Sequence, residues 1–196
     1  MTLIDRALRF AVSAHSGQVR KKSGLPFILH PLEAASIVGS MTNDEAVIAA
    51  AVLHDTVEDA GVTPEELRER FGDRVTDLVL SETEEKRADL PPAETWRIRK
   101  EESLRVLRAS DDDGVRMLWL GDKLSNVRSF YRDYLTQGDS LWNAFHQNDP
   151  AAQAWYYRSI AECLSPLSDH LAYREYVHLV EAIFSSVKET PHELQK

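Results

Sequence analysis

The chain has 196 residues, 43% of them hydrophobic and 28% charged, with a net charge of −9. That length suits one domain able to bury a core without covalent staples, and a single cysteine, Cys163, excludes an intrachain disulfide. The acidic balance repels nucleic acid and acidic membrane surfaces, so an anionic ligand has to be met by local basic residues or by a metal.

Leu3, Ile4, Ala7, Leu8, Phe10, Ala11 and Ala14 trace one face of a first helix. Thr2 and Asp5 form a capping pair at its start, and Gly17 is placed to end it. This opening lacks the apolar core of a signal peptide, so the expected setting is the cytoplasm. Residues 18–30 break the periodicity. Gly24 and Pro26 mark a loop that Arg20, Lys21 and Lys22 make basic. A second helix is expected from Pro31, a favoured first-turn residue.

The third element is expected to run as one helix up to Gly61, with Thr42 and Glu45 as its capping pair. Residues 46–53 are apolar all round, the pattern of a central buried helix. They fall far short of the ~20 residues that span a bilayer. Thr63-Pro64-Glu65-Glu66 starts a short helix that stops near Gly72, and another covers residues 75–82. Residues 81–95 are polar, carry two prolines and read as a long loop, the kind of segment that often serves as a lid or binding loop.

Helical patterns return at 96–109, 115–136, 141–146, 151–164 and roughly 171–187, with Pro166 interrupting. Cys163 has apolar helical neighbours and reads as a packed thiol. Residues 191–196 form a polar tail expected to fray, which leaves residues 1–190 as a single domain. No stretch alternates as a strand would. The expected fold is all-α, a bundle of about eight to ten helices.

The chemistry concentrates at Val-Leu-His-Asp-Thr-Val-Glu-Asp, residues 52–59. On a helix His54 neighbours Glu58, and Asp55 neighbours both Glu58 and Asp59. His54 and Asp55, about 100° apart around the axis, can still converge on one ion. An imidazole with a carboxylate suits a transition metal or zinc better than calcium. Two ligands hold such an ion poorly, and His30 and Asp122 are candidates for the rest. Asp122 follows the apolar run 118–121, where an unpaired carboxylate is costly. A lone His-Asp pair is usually a helix end meeting solvent. Here, however, three acids near an expected helix C-terminus oppose its dipole by about 0.3–1 kcal/mol each, which asks for a compensating cation.

Three segments together resemble the RelA/SpoT-type hydrolase domain of the HD-domain superfamily. They are residues 14–18 with 20–35, His-Asp-Thr-Val-Glu-Asp at 54–59, and Gly-Asp-Lys-Leu-Ser-Asn-Val-Arg at 121–128. They stand in the family's order, and with residues 96–100 the likeness spans residues 3–187. The resemblance implies a divalent metal, usually Mn²⁺, on His30, His54, Asp55 and Asp122. It implies that Glu58 and Asp59 act on the water nucleophile, that Lys21, Lys22 and Ser23 help hold the nucleotide, and that Asn126 lies near its ribose or base. It further implies a small nucleotide substrate, guanosine tetra- or pentaphosphate, cleaved to GDP or GTP and pyrophosphate. Synthetase and regulatory regions do not occur in these residues, which points to the stand-alone small alarmone hydrolases. Arg20, Lys100, Lys123 and Arg128 cluster beside the motifs and are the further cations available for phosphate.

Three departures from the family pattern are visible. The basic loop 20–23 is one residue longer than in the long bifunctional enzymes, Phe27 replaces a common tyrosine, and Asp-Lys-Leu-Ser-Asn replaces Asp-Arg-Leu-His-Asn. Two other readings stay open at this point: an HD-domain phosphatase of other specificity, such as an NADPH 2′-phosphatase, and a non-catalytic nucleotide-binding module. A pure binder has no need of Glu58 and Asp59. Assembly into a homo-oligomer is also left open.

Overall fold

The structure is a computed structural model that describes residues 1–20, 23–87 and 89–187. Lys21, Lys22 and the tail at 191–196 lie outside the described residues. Ten α-helices and two 3₁₀ turns make up the described fold, with no strand beyond one isolated bridge. The fold is the expected all-α bundle.

Helix α1 (Leu3–Ala14) begins with the expected capping box. The Thr2 hydroxyl accepts from the Asp5 amide at 3.1 Å, and the Thr2 amide donates to Asp5 at 2.9 Å. Gly17 then turns the chain at φ 76°. The described residues on either side of positions 21–22 pair with one another. Val19 bridges Pro26, the Arg20 amide donates to the Leu25 carbonyl at 2.9 Å, and Gly24 supplies the left-handed corner at φ 67°.

Helix α2 (Leu29–Gly39) starts two residues earlier than Pro31. First-turn amides have no intrahelical acceptor, so a proline inside that turn forfeits no bond. His30 therefore sits within the helix and is buried, rather than at an exposed loop end.

Helix α3 (Glu45–Leu53) is the centre of the bundle. Its residues Ala49 to Leu53 have no exposed surface, and it packs on α1, α2, α6 (Asp73–Glu82) and α8 (Asp113–Gln137). Its cap is Asp44, which accepts from the Ala46 amide at 2.8 Å; Thr42 instead accepts from the Asp44 amide. The expected continuous helix is broken after Leu53. A separate short helix, α4 (Thr56–Ala60), follows and ends at left-handed Gly61. The Thr56 hydroxyl donates to the Leu53 carbonyl at 2.7 Å, which stabilises the break. Glu58 and Asp59 thus lie in the single turn of α4 and not at the end of a long helix, so they face a much smaller opposing dipole than expected.

Helices α5 (Pro64–Phe71), α7 (Pro92–Ala109), α9 (Pro150–Cys163) and α10 (Leu171–Phe184) complete the shell. The segment expected as a helix at 141–146 is a 3₁₀ turn, Gly138–Ala144. A second 3₁₀ turn at Ser165–Leu167 contains Pro166. Cys163 is half-buried, and burial pushes its thiol up. No helix among the described residues is long and apolar enough to cross a membrane.

The most extensive contacts are those of α2 with α8. Gly121 permits the close approach: a Cβ there would meet Val38 Cγ2 at 2.7 Å and the Ala34 carbonyl oxygen at 2.9 Å. Gly121→Ala is expected to destabilise the fold by about 1–3 kcal/mol, the usual cost of overpacking. A denaturant midpoint unchanged from wild type would show that the crossing tolerates a methyl group.

Candidate active site

Four side chains from three places in the fold converge. His30 comes from the first turn of α2, His54 and Asp55 from the break between α3 and α4, and Asp122 from the middle of α8. His30 Nε2 lies 2.9 Å from Asp122 Oδ1 and 3.5 Å from Asp55 Oδ2. His54 Nε2 lies 3.1 Å from Asp55 Oδ2 and 3.6 Å from Asp122 Oδ1. The two Nε2 atoms are 3.3 Å apart. Ligand atoms of His30, His54 and Asp122 all fall within 4.8 Å of one another, and Asp55 stands at the edge of that cluster.

The hydrogen bonds behind the imidazoles decide what faces the cluster. His54 Nδ1 lies 2.9 Å from the Ala51 carbonyl oxygen, which can only accept, so Nδ1 carries the proton. Ser125 donates its hydroxyl to Glu33 Oε2 at 2.9 Å and therefore accepts from His30 Nδ1, also at 2.9 Å. Each neutral imidazole then turns a bare Nε2 lone pair inward. Two lone pairs and two carboxylates aimed at one buried point repel one another unless a cation stands among them. Without a metal, a proton takes that place. Burial opposes charge on His54, but Asp55 and Asp122 outweigh it and raise its pKa well above the usual histidine value. Burial likewise pushes Asp122 up, and Lys123 with the two histidines pulls it well below the carboxylate range. The donor set fits a divalent ion: nitrogen and oxygen ligands, closely spaced, each imidazole oriented by a second partner.

The partners of His30 extend outward. Glu33 also accepts from Arg128 at 3.2 Å, and Arg128 makes a two-pronged pair with Glu175 of α10 at 2.6 and 2.7 Å. Arg128 therefore braces the chain Glu33–Ser125–His30, away from the cavity wall, and is not placed to meet phosphate. Ser125, Glu33 and Glu175 were not singled out in the sequence. Their separation along the chain hides the relay, although Ser125 lies inside the third motif.

The cluster opens into a cavity of about 640 Å³. Arg20, Ser23, Glu58, Asp59, Lys100, Lys123 and Asn126 line it, as do Glu82, Glu84, Ser129, Asp133 and Tyr156, which sequence reasoning missed. Arg20 donates to Asn126 at 3.1 Å, and Asn126 donates to Asp122 at 2.7 Å. Lys123 pairs with Asp122 and stands 3.2 Å from Glu82 Oε1. Burial pushes Glu58 above the ordinary glutamate value, with Lys86 opposing at 3.5 Å. Lys86 also holds Asp59 at 2.5 Å, and Gln18 donates to the Asp59 carbonyl at 2.8 Å. Glu82 is buried with Lys123 as its charged partner, and burial outweighs that lysine and pushes its pKa up to about 8.

An all-α bundle that brings two imidazoles and two carboxylates to one point offers a donor set that fits a divalent metal ion. The chain belongs to the HD-domain family: a family model described as an HD domain matches residues 7–145. It is 38% identical over 128 residues to the guanosine-3′,5′-bis(diphosphate) 3′-pyrophosphohydrolase of Aquifex aeolicus, a match covering 65% of this chain and 18% of that protein. It is 35% identical over 131 residues to the GTP pyrophosphokinase of Myxococcus xanthus, covering 66% and 17%. The chain thus spans less than a fifth of the length of these curated relatives. Among solved structures, lmo0812 from Listeria monocytogenes EGD-e superposes with a TM-score of 0.70 at 32% identity, covering 80% of this chain and 99% of that one. A metazoan ortholog of SpoT, described as hydrolysing ppGpp, shares the fold with a TM-score of 0.69 at 21% identity, over 95% of this chain and 96% of that one.

Two outcomes follow from this geometry. Ser125→Ala removes the acceptor for His30 Nδ1 and is expected to weaken divalent-metal binding about ten- to hundredfold, measured against a competing chelator. Unchanged affinity would mean that packing alone orients His30. In the metal-free protein, the Glu82 contribution to stability is fully present below its ordinary value of 4.5 and is lost as pH rises through about 8, because the unfolded chain ionises first. Glu82→Gln should flatten the fall in Tm across that window. An equally steep fall in the variant would assign the dependence to other groups.

Proposed function

We propose that the protein is a metal-dependent pyrophosphohydrolase that removes the 3′ diphosphate from guanosine tetra- or pentaphosphate. The observation that carries this is the convergence of His30, His54, Asp55 and Asp122 at the floor of a cavity whose wall bears Glu58 and Asp59. The 38% identity to a protein named for this reaction, and the three motifs in family order, favour the guanosine substrate.

In this reading His30, His54, Asp55 and Asp122 hold a divalent ion, with Mn²⁺ as the proposed occupant. When bound, such an ion makes water a nucleophile near neutral pH and neutralises charge on the attacked phosphorus. Ser125 and the Ala51 carbonyl keep both imidazoles in the ligating tautomer. Glu58 is the better placed general base. Its elevated pKa, from burial, brings it nearer the working pH, and its remaining contacts are a 3.3 Å bond from the Glu84 amide and the more distant Lys86. Asp59, held by Lys86, contributes negative charge beside it. Arg20, Ser23 and Asn126 are the proposed nucleoside contacts, and Lys100 and Lys123 the proposed phosphate contacts; all five line the cavity. Lys21 and Lys22 belong to the same proposed contact set. The protein is proposed to act in the cytoplasm.

The test is a product assay on a nucleotide panel with controlled metal. Protein loaded with Mn²⁺ is expected to release pyrophosphate from guanosine tetraphosphate, and Asp55→Ala to lower the rate by at least about 10³-fold. Full activity after chelation and in Asp55→Ala would sink the metal mechanism. Phosphate release from NADPH or a deoxynucleotide, with none from guanosine tetraphosphate, would replace the substrate while keeping the site.

A further inference from the structure

The segment that leaves α6 lays opposite charges on two walls of the cavity. Lys86 pairs with Asp59 at 2.5 Å and approaches Glu58 at 3.5 Å on one side. Two residues earlier, Glu84 crosses to α7. Its carboxylate accepts from Lys100 at 2.6 Å and from Arg99. The three side chains are only 11%, 13% and 19% exposed for Glu84, Arg99 and Lys100.

Glu84 and Lys100 line the cavity, with Arg99 behind them. Arg99 is further fixed by Thr95 at 3.2 Å and the Pro92 carbonyl at 3.5 Å. A rigid guanidinium beside an ammonium is the donor pair that recognises phosphate. Here the pair carries more positive charge than one carboxylate cancels. A diphosphate brings more acceptor oxygens and more charge than Glu84 does. Burial pushes the Glu84 carboxyl up, and Lys100 and Arg99 outweigh it and hold it below the ordinary glutamate value, so the internal anion is ionised at neutral pH.

We infer that Arg99 and Lys100 form a phosphate subsite that Glu84 occupies as an internal anion, displaced when a polyphosphate enters. This rests on the nucleotide reading of the cavity above. The consequence is a charge threshold: a singly charged anion gains little by replacing Glu84, whereas a diphosphate does. The Glu84 amide also bonds Glu58 at 3.3 Å, so displacement at the phosphate wall is felt beside the general base.

The probe is inorganic pyrophosphate, titrated calorimetrically into the metal-loaded protein. Glu84→Gln is expected to bind it about tenfold more tightly, because the competent state no longer competes with a bound carboxylate. Adding Lys100→Met or Arg99→Met to that variant should abolish the gain. Equal or weaker binding by a folded Glu84→Gln overturns the proposal and makes Glu84 a brace. A second measurement uses the unaltered chain: a glutamate-specific protease should cut within residues 83–87 faster at saturating pyrophosphate. An unchanged cutting rate, with pyrophosphate bound, also overturns it. Turnover of guanosine tetraphosphate is read separately. No turnover with the tenfold gain intact removes the pyrophosphohydrolase reading and leaves the subsite; turnover without the gain does the reverse.

Discussion

Two imidazole lone pairs and two carboxylates meet at one buried point, and the rest of the structure is arranged to hold them there. Groups of that kind, so close and so dry, strongly destabilise a fold unless a cation joins them. The surrounding features read as supports for this one spot. Gly121 brings α8 close enough to α2 for Asp122 to reach His30. The break after Leu53 frees His54 and Asp55 from strict helical geometry, so that both reach the same point. The relay from Glu175 through Arg128, Glu33 and Ser125 fixes the ring of His30.

The apolar half of the bundle has a matching task. Helix α3 is fully buried from Ala49 to Leu53 and joins α1, α2, α6 and α8. Close-packed interiors transmit small displacements rather than absorbing them. A shift in α3 would therefore carry His54 away from Asp122, and a shift between α2 and α8 would carry away His30. The metal-ligand geometry and the hydrophobic core are one structural problem here, since both are solved by the same helix crossings.

Much of this was legible in the sequence. The apolar run at 46–53 announces a buried central helix, Thr2 with Asp5 announces a cap, and the His-Asp pair with Asp122 stands out because carboxylates there defy the apolar pattern. What was hidden has local causes. No glycine or proline marks the break at His54 and Asp55; it is stabilised by Thr56 bonding back to Leu53, a choice that periodicity does not encode. Pro31 was taken as a boundary although the first turn tolerates it anywhere. Arg128 read as a phosphate cation because its motif is basic, but its partner Glu175 lies 47 positions away and only the fold brings them together. Glu82 ends the helix expected at 75–82, and nothing local marks its burial, where Lys123 of α8 stands against it.

Among the described residues, three cations face seven carboxyl groups on the cavity wall: Arg20, Lys100 and Lys123 against Asp55, Glu58, Asp59, Glu82, Glu84, Asp122 and Asp133. A wall so acidic repels a polyanion by itself. Protonation of Glu82 at its elevated pKa removes one negative charge. Outward movement of Glu84 would remove another from the vicinity of Lys100 and Arg99, and a divalent ion among His30, His54, Asp55 and Asp122 would offset two more. Charge balance therefore links the three features that local motifs present separately. In the proposed function, the acids that would prepare a water nucleophile also make the wall repel phosphate until those compensations are in place, so selectivity for a highly charged substrate and readiness for hydrolysis would arise from one electrostatic arrangement.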